Sequence, residues 1–526
     1  MTENHRPAAS VAPADPSDVV ELFLQAARRH PERAAIIHNE QELSYARLEG
    51  LVRGIAGRLG PDCGTVGVLT ARSADTIAAF LGVLAAGGAY CPIDPAFPAE
   101  RKEALVRAAG CRSVIAPDAA EVPLGLPALR LAEPHPTGLP HAPATPWPAV
   151  DPEDPAYVLF TSGSTGAPKP VATPRRAIAA AVDSLAGLLD IAPADRVLQF
   201  ASLNWDTCFE EILPALTRGA SLVIDDDAYS ASFPRFLRMI ERRRVTVLDL
   251  PTAFWHEFVN HLTEDRAALP GTVRTVVIGG EAARPARLAD WRAVPGADRV
   301  RLVNTYGCTE TTLVTHAIDL HGPLAVGDTS PTATPAAIPI GHALPHVREH
   351  IGEDGELLIG GPSLALGYRG LPQITGERFR AFDQPDVRGW YFRTGDRVRR
   401  EADGALVHEG RLDDELKIRG IRVSPGEAEA QMCGHPDVAA AVATGTVVGD
   451  HTALVGYVLP RPHADPATLA AAVLRHLRER SPRHLVPTRI TVVPELPHTA
   501  SGKVDRARTH QLYAIRNEFK EASRAR

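Results

Sequence analysis

Phe160-Thr161-Ser162-Gly163-Ser164-Thr165-Gly166-Ala167-Pro168-Lys169 is the stretch on which the reading of the whole chain turns. The apolar run before it, residues 156–160 (AYVLF), has the length and character of a short buried strand. A loop this rich in Gly, Ser and Thr, closed by a lysine, suits a polyphosphate. Glycines let the backbone come close, hydroxyls and N–H groups donate to phosphate oxygens, and the lysine adds a point charge. The spacing is G-x-x-G-x-x-K, not the G-x-x-x-x-G-K-[ST] of a Walker loop. Alone, the loop is equally consistent with a flexible surface turn, so its surroundings must decide.

Outward from the loop, the 526 residues imply a large domain of several lobes and a smaller one. Hydrophobic content of 44% and charged content of 23% are ordinary for a soluble globular protein, and a net charge of −7 gives no support to a nucleic-acid partner. No apolar run reaches membrane-spanning length, and residues 1–16 lack the apolar core of a secretion signal. The expectation is a cytoplasmic protein with a disordered segment at 1–16. Six scattered cysteines show no metal spacing and read as reduced thiols. Only five of the 56 basic residues are lysines, namely Lys102, Lys169, Lys417, Lys503 and Lys520. In so arginine-rich a chain a retained lysine points to a compact ammonium where a planar guanidinium does not serve. Lys169, Lys417 and Lys503 lie in motif-like surroundings.

Apolar periodicity predicts helices at 18–30 (N-capped by Ser17), 45–59, 75–86, 175–189 and 233–243, alternating with strands at 35–38, 65–70, 196–200, 245–250, 275–278 and 301–304. That βα alternation implies mostly parallel sheets covered by helices, with ligands beyond the carboxyl ends of the strands. Residues 117–155 carry eleven prolines and read as an extended connector. Residues 355–368, 391–399 and 405–409 suit a small β subdomain. After a charge-rich junction, residues 428–432, 438–448, 452–458, 467–479 and 489–493 form a separate α+β unit.

Several segments complement the loop. Asn304-Thr305-Tyr306-Gly307-Cys308-Thr309-Glu310 offers an aromatic plate for a base and a carboxylate for Mg²⁺. Tyr391-Phe392-Arg393-Thr394-Gly395-Asp396 puts an acid in a turn, where it could hold ribose hydroxyls. Gly410-Arg411-Leu412-Asp413 lies at the domain junction, and Ser501-Gly502-Lys503-Val504-Asp505-Arg506 sets a rare lysine on a glycine turn. Singly, each is more often a surface feature than a functional one; their order along one chain is what carries weight.

That order resembles the adenylate-forming enzymes, and within them the amino-acid-activating adenylation domains of nonribosomal peptide synthetases. The likeness runs from about Leu43 to Arg506. It rests on residues 43–48 (LSYARL), 85–94 (AAGGAYCPID), the glycine loop, 304–310, 355–368 (GELLIGGPSLALGY), 391–396, 410–429 (GRLDDELKIRGIRVSPGEAE) and 496–506 (LPHTASGKVDR). Pro170, Cys308 and Trp205 depart from the family's usual Gly, Pro and Phe.

The resemblance implies an α/β fold with a large N-terminal domain of mostly parallel sheets, helices and a small β subdomain, followed by a small mobile α+β C-terminal domain. It sets an N-terminal core at 17–411, a hinge at 412–413 centred on Asp413, the mobile domain at 414–510 and a basic tail at 511–526. It implies ATP and Mg²⁺, and two half-reactions: an amino acid carboxylate attacks the α-phosphate, and the aminoacyl adenylate then passes to a carrier protein's phosphopantetheine thiol. Lys503 would bridge carboxylate and α-phosphate. Thr161, Ser162, Gly163, Ser164, Thr165, Gly166 and Lys169 would hold the β- and γ-phosphates, and Glu310 the metal. Asp396 would take the ribose, with Arg411 beside it. Gly280, Glu281, Ala282, Asn304, Thr305, Tyr306, Gly307 and Thr309 would surround the nucleotide. The matching substrate pocket comprises Asp206, Thr207, Glu210, Asp249, Val277, Gly279, Thr305, Leu313 and Val314 alongside Lys503. Asp206 would receive the substrate ammonium, and the extra acids Glu210 and Asp249 imply a basic amino acid such as lysine, β-lysine, ornithine, arginine or a relative. With no carrier or condensation signature in the sequence, the expected enzyme is free-standing, loads its carrier in trans in peptide natural-product biosynthesis, and has neither nucleic acid nor membrane as partner. A small activator protein is a further partner the resemblance allows. Two alternatives stay open: an acyl-CoA or aryl-acid ligase, and a catalytically silent adenylate-binding protein.

Overall fold

The computed structural model describes residues 18–117, 120–131, 147–162, 168–325, 337–384, 387–413, 415–418, 420–448, 451–498 and 504–514. Two large sheets dominate. The first has nine strands, with Ala34–His38, Ser221–Ile224, Arg196–Leu198, Val247–Pro251, Thr275–Gly279 and Arg301–Gly307 running parallel side by side. Antiparallel strands Gln41–Ser44 at one edge and Val314–His321 with His342–Ala343 at the other complete it. The second has seven strands, parallel from Pro155–Thr161 through Ala89–Ile93, Thr65–Leu69 and Cys111–Pro117 to Ala128–Leu131. Lys169–Pro174 and Gly367–Tyr368 close it antiparallel. This is the α/β architecture that the alternating pattern predicts. Part of the proline-rich connector departs from expectation, because residues 128–131 pair as an edge strand. A proline beside an edge costs no ladder bond.

One apolar cluster joins both sheets through the helices Val19–Arg29, Tyr45–Leu59, Ala74–Ala85, Arg175–Leu188 and Thr207–Thr217. The first is capped by Asp18, whose carboxylate accepts from Val20 N–H, one residue on from the cap expected. Phe209 of the last helix is the centre of this contact, stacked 4.6 Å from Phe80 and tilted against Tyr157 at 4.9 Å. Loss of such a ring costs about 3–5 kcal/mol. Its burial fixes the rotation of helix Thr207–Thr217 and so the direction in which that helix presents its acids.

Arg348–Ile351, Glu356–Gly360, Phe379–Gln384, Val387–Arg400 and Leu406–Arg411 form the antiparallel β subdomain. Beyond it a short hairpin, Leu416–Ile418 with Ile421–Val423, leads into a three-stranded sheet (Val438–Val448, His451–Pro460, Arg489–Val492) with helices Pro425–Cys433 and Pro466–Arg480. This α+β unit has its own apolar core. Among the described residues no helix is long and apolar enough to cross a membrane.

Candidate active site

Strands Pro155–Thr161 and Lys169–Pro174 pair with Thr161 opposite Lys169, so the two ends of the glycine loop stand side by side. Thr161, Ser162 and Lys169 are all buried. Gly163, Ser164, Thr165 and Gly166 lie outside the described residues, as does Lys503. Glu310 sits in the short turn Thr309–Thr311 that follows strand Arg301–Gly307, and no part of it reaches solvent. Its carboxylate accepts from Tyr368 OH at 2.7 Å and from Thr161 Oγ1 at 3.4 Å, and Arg422 Nη1 lies 3.2 Å away. Burial alone would raise this carboxyl; the charges of Arg422 and Lys169 outweigh burial and hold it below the usual range. Lys169 answers in kind: burial and Arg422 lower its ammonium, while Glu310 and Glu415 support it. An ionised carboxylate beside an ammonium suits a divalent cation carried on a phosphate chain, the acid facing the metal and the lysine the phosphate oxygens.

A second cluster lies at the end of the same strand. Tyr306 OH donates to Asp396 Oδ2 at 2.6 Å. Arg411 Nη1 at 2.9 Å and His408 Nε2 at 3.0 Å meet Asp396 Oδ1. Burial opposes ionisation of Asp396, yet His408, Lys417 and Arg411 together hold it far below the carboxylate range. Lys417, one of the rare lysines, sits 5.2 Å over the Tyr306 ring. Asn304 and Thr305 are tied to backbone, donating to Pro339 O at 2.7 Å and to Ile278 O at 3.0 Å. Gly280 has φ +83, and a Cβ there would stand 3.1 Å from Gly420 Cα. Beside it Glu281 accepts from Gly420 N–H at 2.6 Å, while Ala282 is exposed. Gly307 is required by an even closer approach, since a Cβ would fall 1.8 Å from Leu313 O.

The third cluster is acidic. Asp206 caps helix Thr207–Thr217 by position without a side-chain capping bond, and Thr309 with the backbone of Asp206 and Thr207 favours its ionised form against burial. Glu210 stands one turn on, on the same helix face, and Asp249 lies on strand Val247–Pro251. Val277, Leu313 and Val314 are buried apolar neighbours, Gly279 is half-buried and Thr207 is exposed. Thr312 and Leu313 both have positive φ, of 60° and 61°, strain that the packed loop after Glu310 sustains. Burial pushes Asp206 up to about 6. Glu210 and Asp249 hydrogen-bond to each other, and burial raises both. Two carboxyls can share such a bond only with a proton between them. Glu211 behaves differently: it accepts from Phe200 N and Ala201 N at 2.9 Å and from Gln199 Nε2 at 3.1 Å, so it braces the 199–201 turn. Position in sequence does not separate these neighbouring glutamates; their partners do.

The fold thus brings Thr161, Ser162, Lys169 and Glu310 together, and Tyr306 with Asp396 and Arg411. Asp206, Glu210 and Asp249 form a third group. Sequence reasoning did not single out Glu415, Arg422, Tyr368, Arg101 or Glu427. Glu415 and Arg422 stand inside the quoted 410–429 stretch, and their charge is the signal that could have found them. Arg101 and Glu427 pair at 3.0 Å across the two domains with Glu427 buried. Next to them a crevice lined by Phe97, Phe160, Ser162, Trp205 and His484 runs between the domains.

Comparison with known proteins places the chain among relatives. Residues 23–369 match the AMP-binding enzyme family, and residues 427–503 the AMP-binding enzyme C-terminal domain. The chain is similar to the isonitrile lipopeptide synthase of Streptomyces coeruleorubidus, 41% identical across 93% of this chain and 33% of that protein. It is also similar to CymA of Salinispora arenicola (strain CNS-205), a probable non-canonical nonribosomal peptide synthetase, 37% identical across 94% of this chain and 6% of that one. The chain therefore spans a third or less of these two relatives. Among solved structures, holo-PA1221, a nonribosomal peptide synthetase protein containing adenylation and PCP domains, superposes with a TM-score of 0.78 at 27% identity, covering 94% of this chain and 84% of that one.

Proposed function

The chain belongs to the AMP-binding enzymes, ATP-dependent adenylating ligases, and on that premise we propose that it activates a basic amino acid and hands it to a carrier protein. Lysine, β-lysine, ornithine, arginine or a relative is the substrate, and a phosphopantetheine thiol acting in trans is the acceptor. The observation that carries the substrate class is the pair Glu210 and Asp249, two acids set against each other whose carboxyls burial raises. An enclosed carboxylate lacking its partner costs roughly 3–5 kcal/mol. A proton shared between the two acids relieves that cost; a cationic side chain would displace the proton and pair with both. Asp206, whose side chain makes no helix-cap bond, would receive the substrate's other ammonium.

In the first half-reaction two anions meet, so positive charge must stand where negative charge builds. Lys169 supplies it at the β- and γ-phosphates of ATP, and Lys503, by its motif, at the α-phosphate. Glu310 would hold Mg²⁺, which when bound neutralises the phosphate charge, with Thr161 beside it on the phosphates. Asp396, kept ionised by His408, Lys417 and Arg411, would accept from the ribose hydroxyls. For the second half-reaction, rotation of the 414–510 domain about Asp413 would withdraw Lys503 and admit the thiol. The interdomain crevice beside Trp205 and His484 supports a path for a slender thiol arm.

Pyrophosphate exchange with lysine, β-lysine, ornithine, arginine, norleucine and leucine tests this reading. Exchange is expected with basic members of the panel. Preference for leucine would overturn the substrate class, and no exchange with any carboxylic acid would overturn the activity.

A further inference from the structure

The hairpin Leu416–Ile418 with Ile421–Val423, and the residue before it, occupy the charged groups assigned to ATP. Glu415 Oε1 lies 3.8 Å from Lys169 Nζ, and its other oxygen meets Arg411 Nη2 at 3.0 Å and Arg422 Nε. Arg422 reaches on to Glu310 at 3.2 Å, while its carbonyl accepts from Ser162 Oγ at 3.0 Å. The side chains are enclosed: Glu310 is 0% exposed, Lys169 7%, Glu415 8% and Arg422 13%. A carboxylate thus stands where a phosphate would stand, and a guanidinium where a metal would. Like charges exclude one another at such spacing, so Mg-ATP and the docked hairpin compete for the same side chains. Once pyrophosphate has left, Lys169 and Glu310 would keep each other and the Tyr368 and Thr161 hydroxyls but lose the phosphate and metal charges, a loss that Glu415 and Arg422 offset.

We propose that Glu415 is a positioning residue that takes over Lys169 when pyrophosphate departs, so that the hairpin docks, and the thiol step begins, only on an emptied phosphate site. This rests on the two-step reading above. Glu415 touches neither substrate nor reacting atoms; it acts through Lys169 and Arg422. Its loss therefore moves two quantities in opposite directions, which a merely structural role does not do. Without its charge the hairpin competes less well, so nucleotide binds more tightly and transfer slows.

The test uses the full chain. Binding of α,β-methylene-ATP with Mg²⁺ is measured by calorimetry, and transfer by single-turnover thioester formation from pre-formed adenylate with pantetheine as acceptor. Glu415→Gln, which keeps shape and removes charge, is expected to bind the analogue at least threefold more tightly and to form thioester at least tenfold more slowly. Glu415→Ala, which leaves no carboxamide to misplace, should move both in the same senses. Weaker nucleotide binding, or transfer at the wild-type rate, overturns the proposal. The binding arm needs no amino acid. A wild-type protein inactive in pyrophosphate exchange would therefore overturn the two-step reading, whereas active exchange with an unmoved Glu415→Gln overturns this inference alone.

Discussion

Gly307 and Lys503 mark the two ends of what a single residue can do in this site. At Gly307 the constraint is steric: any Cβ would meet Leu313 O at 1.8 Å and push the loop bearing Thr312 and Leu313, already at positive φ, away from the pocket. Overpacking of this kind costs about 1–3 kcal/mol. Gly307→Ala should lower the melting temperature by several degrees, roughly 2–4 °C per kcal/mol in a chain of this size or less, and raise KM for the amino acid. Unchanged melting and KM would show that the loop yields freely. At Lys503 the constraint is electrostatic. Lys503→Ala should abolish adenylation yet leave thioester formation from pre-formed adenylate largely intact, because in the proposed two-step reaction the lysine acts only in the first step. Equal loss in both half-reactions, measured separately, would contradict that role. Lys503→Arg should fail as well, since a planar fork does not replace a point charge reaching two oxygens.

Elements show where sequence and structure part. Helices Tyr45–Leu59 and Phe233–Arg243 match their apolar periodicity end for end. Helix Thr207–Thr217 escaped periodicity analysis because Pro214 interrupts its interior and every residue from Cys208 to Thr217 is buried, so no polar face marks the repeat. Strand Ala128–Leu131 was hidden among prolines. The site is legible in the sequence only where one motif carries one group: Lys169, Glu310 and Asp396 could each be picked from their own stretch. The bond from Arg422 to Glu310 spans 112 positions, and no local pattern contains it. The junction between the domains is the element with the most direct test. Asp413 is held by Arg411 and by Arg378, at 3.0 Å in the latter pair. Asp413→Pro removes both backbone freedom and these pairs, whereas Asp413→Asn removes only charge. The proline variant should spare adenylation and cripple thiolation, with the asparagine variant much less affected, in single-turnover assays of each step. Equal losses in the two steps for Asp413→Pro would place the hinge elsewhere.

For the whole molecule, the acids of the pocket couple substrate, proton and stability. Asp206 is raised by burial from 3.8 to about 6, so the folded state keeps a proton that the unfolded chain gives up. Ligand-free stability should then fall as pH rises from about 4 through about 6, and Asp206→Asn should flatten that slope in thermal melts. A cationic substrate favours the ionised acids, so its affinity should rise over the same interval. Because Glu210 and Asp249 are also raised, binding near neutral pH should release a proton, detectable by calorimetry in two buffers of different ionisation enthalpy. Binding that weakens as pH rises, or releases no proton, would contradict this coupling. The proposed specificity would follow from the same charges: a close pair gains roughly 4 kcal/mol at an effective dielectric near 20, before desolvation is subtracted. The most direct measurement is kcat/KM in pyrophosphate exchange for lysine against norleucine, an isostere without the distal amine. It is taken for the native enzyme and for Glu210→Gln combined with Asp249→Asn. The account predicts a native preference for the cationic substrate of at least tenfold, about 1.4 kcal/mol, that collapses in the double variant. A native enzyme that prefers norleucine, or a double variant that keeps the full discrimination, would contradict it.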